Sequence, residues 1–204
     1  MMFALLVWSA YGTPTPPPPS PSPPVVPDPA VLDAAALEAA TTAGKAFGAA
    51  LKGRLETALA SGGPPEGIRV CHEVAAGLAS TFGADHGVTV GRASLRTRNP
   101  ENKGPDWVQQ WLSAQGERKA EGVGPHREVV ETPDGRVARV ILPIRVEPVC
   151  LACHGPAATL PEPVRTALAA QYPQDAAVGY TEGDLRGALW VERPVGSGGN
   201  VLDW

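Results

Sequence analysis

Residues Cys150-Leu-Ala-Cys153-His154 form a Cys-x-x-Cys-His run, and no other stretch limits more tightly what can surround it. Two thiols at this spacing can add to the two vinyl groups of a haem as thioethers. The histidine directly after the second cysteine is then held under the iron as an axial ligand. Three plainer readings compete. A zinc site wants four Cys or His ligands, usually from two such clusters, and the chain has one cluster. A thioredoxin-like dithiol opens a helix, but Pro148 stands before this motif and Gly155-Pro156 follow at once, so no helix runs on. A disulfide between Cys150 and Cys153 would close a small, strained loop. Covalent attachment of one haem c is the reading that accounts for both thiols and the histidine.

The chain has 204 residues, enough for one domain plus appendages. Its 17 Lys and Arg against 21 Asp and Glu leave a net charge of -4 and no basic block, which makes nucleic acid a poor partner. Three cysteines are an odd number, so a pure disulfide framework fails and Cys71 is left to be explained. Residues 1–12 are apolar, too short to span a bilayer, and read as a candidate signal peptide with Ala10-Tyr11-Gly12 at the cleavage site, although no Lys or Arg precedes the apolar run. Residues 13–29 are a proline-rich linker in polyproline II conformation. The expected domain covers residues 30–196, with 197–204 as a tail.

Within that domain Phe47, Leu51, Leu55 and Leu59 recur every fourth residue and predict a long helix. Ser61-Gly62-Gly63 stops it and Pro64-Pro65 starts a second. There Ile68, Cys71, Ala75, Leu78 and Phe82 share one face, so Cys71 points towards the core. His72 lies about 100° round the helix. Residues 87–95 read as a strand, 96–105 as a polar loop, and Asp106 as the cap of a helix whose Trp107 and Trp111 pack in the core. Residues 127–132 and 137–146 form a hairpin through Pro133-Asp134-Gly135. A short helix over 161–172 and a strand over 187–193 complete an α+β domain with long N-terminal helices and an antiparallel sheet.

The Gly91-Arg92-Ala-Ser94, Arg98-Asn99-Pro100-Glu-Asn102 and Cys150–Gly155 blocks stand in this order after Cys71. Tyr172-Pro173, Gly179-Tyr180 and Gly183-Asp184-Leu-Arg186-Gly187-Ala188 follow them. In this combination the chain, over residues 30–194, resembles a family of PAS-like, single-haem c-type cytochromes once described as a domain of unknown function. Its members stand alone in the periplasm or form the sensory part of histidine kinases and chemoreceptors. The resemblance implies a PAS-like sheet and a His/Cys axial pair, here His154 and Cys71. His72, adjacent to Cys71, stays open as a competitor, while His86 and His126 are expected at the surface. Arg98 and Arg186 are expected to hold the haem propionates by charge-assisted hydrogen bonds. Their equal alternative is to cap the helix at Asp106 and solvate a surface turn.

With both axial positions filled by protein, substrate has no open site at iron. Glu73, Glu128, Glu131 and Asp134 show no catalytic pairing either, so the expected role is non-enzymatic. It is electron transfer with a redox partner protein, or redox sensing. The alternative is a sensor in which NO or CO displaces Cys71 and a separate signalling partner responds. Thioether attachment to haem takes place outside the cytoplasm, which predicts a periplasmic protein, with membrane association open and no transmembrane span.

Overall fold

The structure, a computed structural model, describes residues 27–116 and 119–196. The candidate signal peptide, most of the proline-rich linker and the 197–204 tail lie outside the described residues.

Helix α1 (Pro29–Glu73) begins where a helix is cheapest to start. Asp28 accepts the Ala30 N–H at 2.8 Å, and proline fills the first turn, where its missing N–H costs nothing. The expected stop is present as a bend. Gly63 leaves the helix at φ 67° and ψ -164°, a region open essentially to glycine, and Pro64 and Pro65 restart the helix beyond it. The first limb lies across the sheet through the small side chains of Ala36, Ala40 and Ala43 and the fully buried Phe47. The second limb carries Ile68 and Cys71. It continues into α2 (Ala75–His86) through one irregular residue, Val74, which still donates to Val70 O at 2.9 Å.

Four antiparallel strands follow: β1 (Thr89–Ala93), β2 (His126–Thr132), β3 (Gly135–Arg145) and β4 (Leu185–Pro194), in the order β1-β4-β3-β2. Pro133 and Asp134 make the β2–β3 turn, with Thr132 paired to Gly135. His126, one residue before the expected start of the strand, opens β2 opposite Ile141, because its alternation continues that of the strand. β3 is apolar on both faces for a reason. Val140 and Leu142 pack against α1, whereas Ile141 packs against Val108 and Leu112 of α3 (Asp106–Gln115) on the opposite face. Pro143 lies beyond the last β2 pair, where a residue without an N–H leaves no ladder bond unmade on that side. Trp107 and Trp111 pack with this α3 layer as expected, Trp107 standing edge-on to Trp190 at 6.4 Å.

Beyond β3 the chain makes a 3-10 turn over Pro148–Cys150, then the one-turn α4 (Leu151–His154) and α5 (Glu162–Gln171). Leu160, Val164, Leu168 and Tyr172 bury against Ile68 of α1, with Cys153 at the edge of that cluster. The returning segment, residues 173–184, feeds β4. The α+β class, the long N-terminal helices and the antiparallel sheet are as expected.

Candidate functional site

Local structure alone brings Cys150, Cys153 and His154 together. Pro148 opens the turn, and the Glu147 backbone N–H reaches Cys150 Sγ at 3.3 Å. The turn and α4 then place these three residues at helical i, i+3 and i+4 spacing, on one side. Gly155 ends the helix, its N–H returning to Leu151 O at 3.0 Å. Lys52 of α1 pairs with Glu147 at 2.9 Å and ties the turn to the first limb.

His154 Nδ1 lies 2.6 Å from Ala177 O. A carbonyl can only accept, so Nδ1 carries the proton and Nε2 keeps its lone pair, the tautomer a metal-ligating imidazole needs. Burial, with the Arg186 and Arg98 guanidinium groups behind it, pushes the ring's pKa down to about 3, so the ring is neutral. All three cysteines are free thiols. Burial raises the Cys153 thiol, Arg98 opposes it, and the charges of Cys71 and Cys150 add to the rise. Tyr172 is likewise raised, first by burial and then by Cys71. Cys71, half-buried and one turn on from the core residue Ile68, therefore shares one locality with Cys153 and Tyr172. His72 is exposed and sets its ring edge-on to Tyr172 at 5.1 Å. His86 stacks on Phe82, and His126 meets Glu128 at 3.5 Å.

Residues 175–180 hold the motif from the other side. Gly179 and Tyr180 donate backbone N–H groups to Gly155 O and His154 O at 2.8 and 2.9 Å, and Ala176 donates to Thr97 O at 3.0 Å. Arg98 Nε donates to Asp175 Oδ2 at 3.0 Å, both side chains being only 10% exposed. Arg98 Nη2 reaches Cys153 O at 2.5 Å and Ala177 O at 3.3 Å. Arg186 Nη1 donates to Ser94 Oγ at 2.6 Å and Arg96 O at 3.1 Å. Arg186 and Arg96 both lie over the Tyr180 ring, at 5.2 and 4.4 Å. Arg92 adds a fourth cation, whose charge reaches His154, Tyr172 and Arg186.

Among the described residues only Arg98 of these four arginines is ion-paired. Burial lowers the pKa of Arg186, and Arg98 and Arg92 push it the same way. Carbonyls and Ser94 take some of their hydrogen bonds, but the net positive charge of this corner suits an anion. A cleft of about 290 Å³ between Leu95-Arg96, Leu112 and Tyr180–Arg186 opens beside it. A second hollow of about 250 Å³, between α2 and β1, is lined by small and apolar residues such as Ala79, Gly83 and Val88 and carries no titratable group.

The structure thus gathers Cys71, Cys150, Cys153, His154, Arg98 and Arg186 at one corner. It adds Asp175, Ala177, Ser94, Arg92 and Arg96, which sequence reasoning did not place in the site. Arg92 and Ser94 lie in the Gly91-Arg92-Ala-Ser94 block, but Asp175 carries no signal beyond being an acid in a loop.

Residues 23–194 match the model of the Tll0287-like family. The chain belongs to that family. A crystal structure of the cyanobacterial heme-protein Tll0287 is 25% identical over 82% of this chain and 97% of its own, with a TM-score of 0.56. No curated protein matches the chain. The matched span includes Cys71, the cysteine–histidine run and every other block on which the family resemblance rests, so that resemblance holds. Among the described residues no helix is long and apolar enough to cross a membrane.

Proposed function

We propose that this member of the Tll0287-like family is a periplasmic, non-enzymatic electron-transfer protein carrying one covalent haem c. Cys150 and Cys153 would form the thioethers, with His154 and Cys71 as axial ligands. The observation that carries this reading is the 2.6 Å bond from His154 Nδ1–H to Ala177 O, which leaves Nε2 its lone pair on the same helical turn as two free thiols. The donor set fits a haem in two further respects. The guanidinium groups of Arg186, Arg92 and Arg96, none paired to a carboxylate among the described residues, together with Arg98, would suit the two propionates of the group. Cys71, on a different element and close enough for its charge to act on Cys153, would supply a second donor. The likeness to a structure described as a heme-protein supports the same conclusion.

When bound, haem supplies a one-electron redox centre. The chain's own residues do the rest. Burial and the nearby guanidinium groups keep His154 neutral, and Ala177 O orients its ring. A Cys71 thiolate favours the oxidised metal and lowers the reduction potential. The arginines of this corner would neutralise propionate charge that would otherwise be desolvated alone.

The purified protein should keep its colour through acid–acetone extraction, and its denatured mass should exceed that of the polypeptide by one haem. Pigment that extracts freely would overturn covalent attachment. Cys71→Ser should change the oxidised low-spin spectrum and raise the potential. An unaltered spectrum would move the sixth ligand to His72.

The second reading is a sensor of redox state or of a diatomic gas, acting on a separate partner. It is favoured by the position of Cys71 three residues before the irregular turn at Val74, where displacement of the ligand could be passed to α2. Amide exchange across α2 on adding NO separates the two. A carrier leaves it unchanged and a sensor does not.

A further inference from the structure

The carbonyl that receives His154 is itself held by two charged side chains. Asp175 Oδ1 accepts the N–H of Ala177 at 2.8 Å, an Asx turn that sets the plane of the segment presenting Ala177 O. Asp175 Oδ2 accepts from Arg98 Nε at 3.0 Å. Arg98 Nη2 then crosses to Cys153 O, on the residue just before His154, and to Ala177 O. One ion pair therefore bridges both sides of the His154 bond, the helix that carries the ring and the loop that carries its acceptor. Both partners are only 10% exposed, so water is a weak competitor for their hydrogen bonds. Arg98 is thus engaged principally in this bridge.

We infer that Asp175 and Arg98 are positioning residues for His154, and that the ion pair sets how strongly the imidazole donates to the metal. The inference rests on the haem reading above. A firm Nδ1–H···O=C bond gives the ring partial imidazolate character, makes it a stronger donor and lowers the reduction potential. Loosening the Ala177 segment lengthens that bond, weakens the donor and raises the potential. The Arg98 contact to Ala177 O, at 3.3 Å, is long beside the 2.6 Å His154 bond, so Arg98 acts mainly by holding the loop rather than by competing for the carbonyl.

Removing Asp175 also removes a negative charge, which by itself raises the potential, so the test compares two variants that share that change. Asp175→Asn retains an amide oxygen for the Ala177 N–H, whereas Asp175→Ala does not. Both are prepared as holoproteins. The potential is measured, together with the solvent exchange of the hyperfine-shifted His154 Nδ1–H proton by NMR. The Ala variant should have the higher potential and a several-fold faster exchange than the Asn variant. Equal values in holoproteins that retain covalent haem overturn the inference and leave the haem reading intact. Loss of covalent haem from the unaltered protein overturns that reading instead. Should the Ala variant not mature, Arg98→Lys keeps the charge but lacks the fork that spans Asp175 and two carbonyls. It should raise the potential and speed exchange, and unchanged values again count against the pair.

Discussion

Ser94 has the smallest polar side chain in the arginine corner and one of the most heavily bonded. Its hydroxyl accepts from Arg186 Nη1 at 2.6 Å and from Arg96 N at 3.2 Å, and donates to either Arg186 O or Arg96 O at 2.9 and 3.0 Å. A buried donor stripped of its acceptor costs about 1–3 kcal/mol. Ser94→Ala should therefore destabilise the protein towards the lower end of that range, since Arg186 Nη1 keeps Arg96 O, and urea unfolding would read the loss. At this scale the sequence was readable where chemistry is local. Cys150, Cys153 and His154 are three residues of a single turn, and the odd cysteine pointed to Cys71. Asp175 was unreadable, because a loop aspartate facing water and one paired to a buried arginine are the same letter in the chain.

At the scale of elements, the bend in α1 decides where Cys71 can go. A straight helix would carry the second limb past the sheet. Gly63 instead turns the chain so that Ile68 packs on α5. Gly63→Ala places a Cβ at φ 67° and ψ -164°, which costs about 1–3 kcal/mol of backbone strain. The variant should melt at lower temperature, and the sulfur ligand should be affected more than the thioethers, because Cys71 rides on the displaced limb. A spectrum in which Cys71 ligation survives with full stability would contradict this. The sequence showed the stop-and-restart in its Gly-Gly-Pro-Pro run and the hairpin in Pro-Asp-Gly, since both are local backbone chemistry. It showed less well where β2 begins, since strand ends depend on which partner lies opposite.

For the molecule as a whole, the charge at the site is out of balance without its anion. Four arginines share one paired carboxylate in a partly buried corner. A Cys150→Ala/Cys153→Ala chain, unable to hold haem covalently, should be less stable than the holoprotein. Its melting temperature should also rise more steeply with added salt, because counterions screen the repulsion that propionates would otherwise neutralise. Parallel melting curves for the two forms over a salt series would show whether the excess slope exists. Equal slopes would mean that the arginines are neutralised within the protein.

The sequence by itself determined the α+β class, the two helical limbs, the hairpin and the donor motif, because periodicity, caps and turn chemistry act within a few residues. Tertiary structure decided which side chains surround that motif. Arg98 meets Asp175 across 77 positions of chain, and Ser94 meets Arg186 across 92. Pairs so far apart form only when the path of β1, the crossover and β4 brings their loops together. No local pattern records that path, since the hydrogen-bonding capacity of an arginine, an aspartate or a carbonyl is the same whether water or another loop supplies the partner.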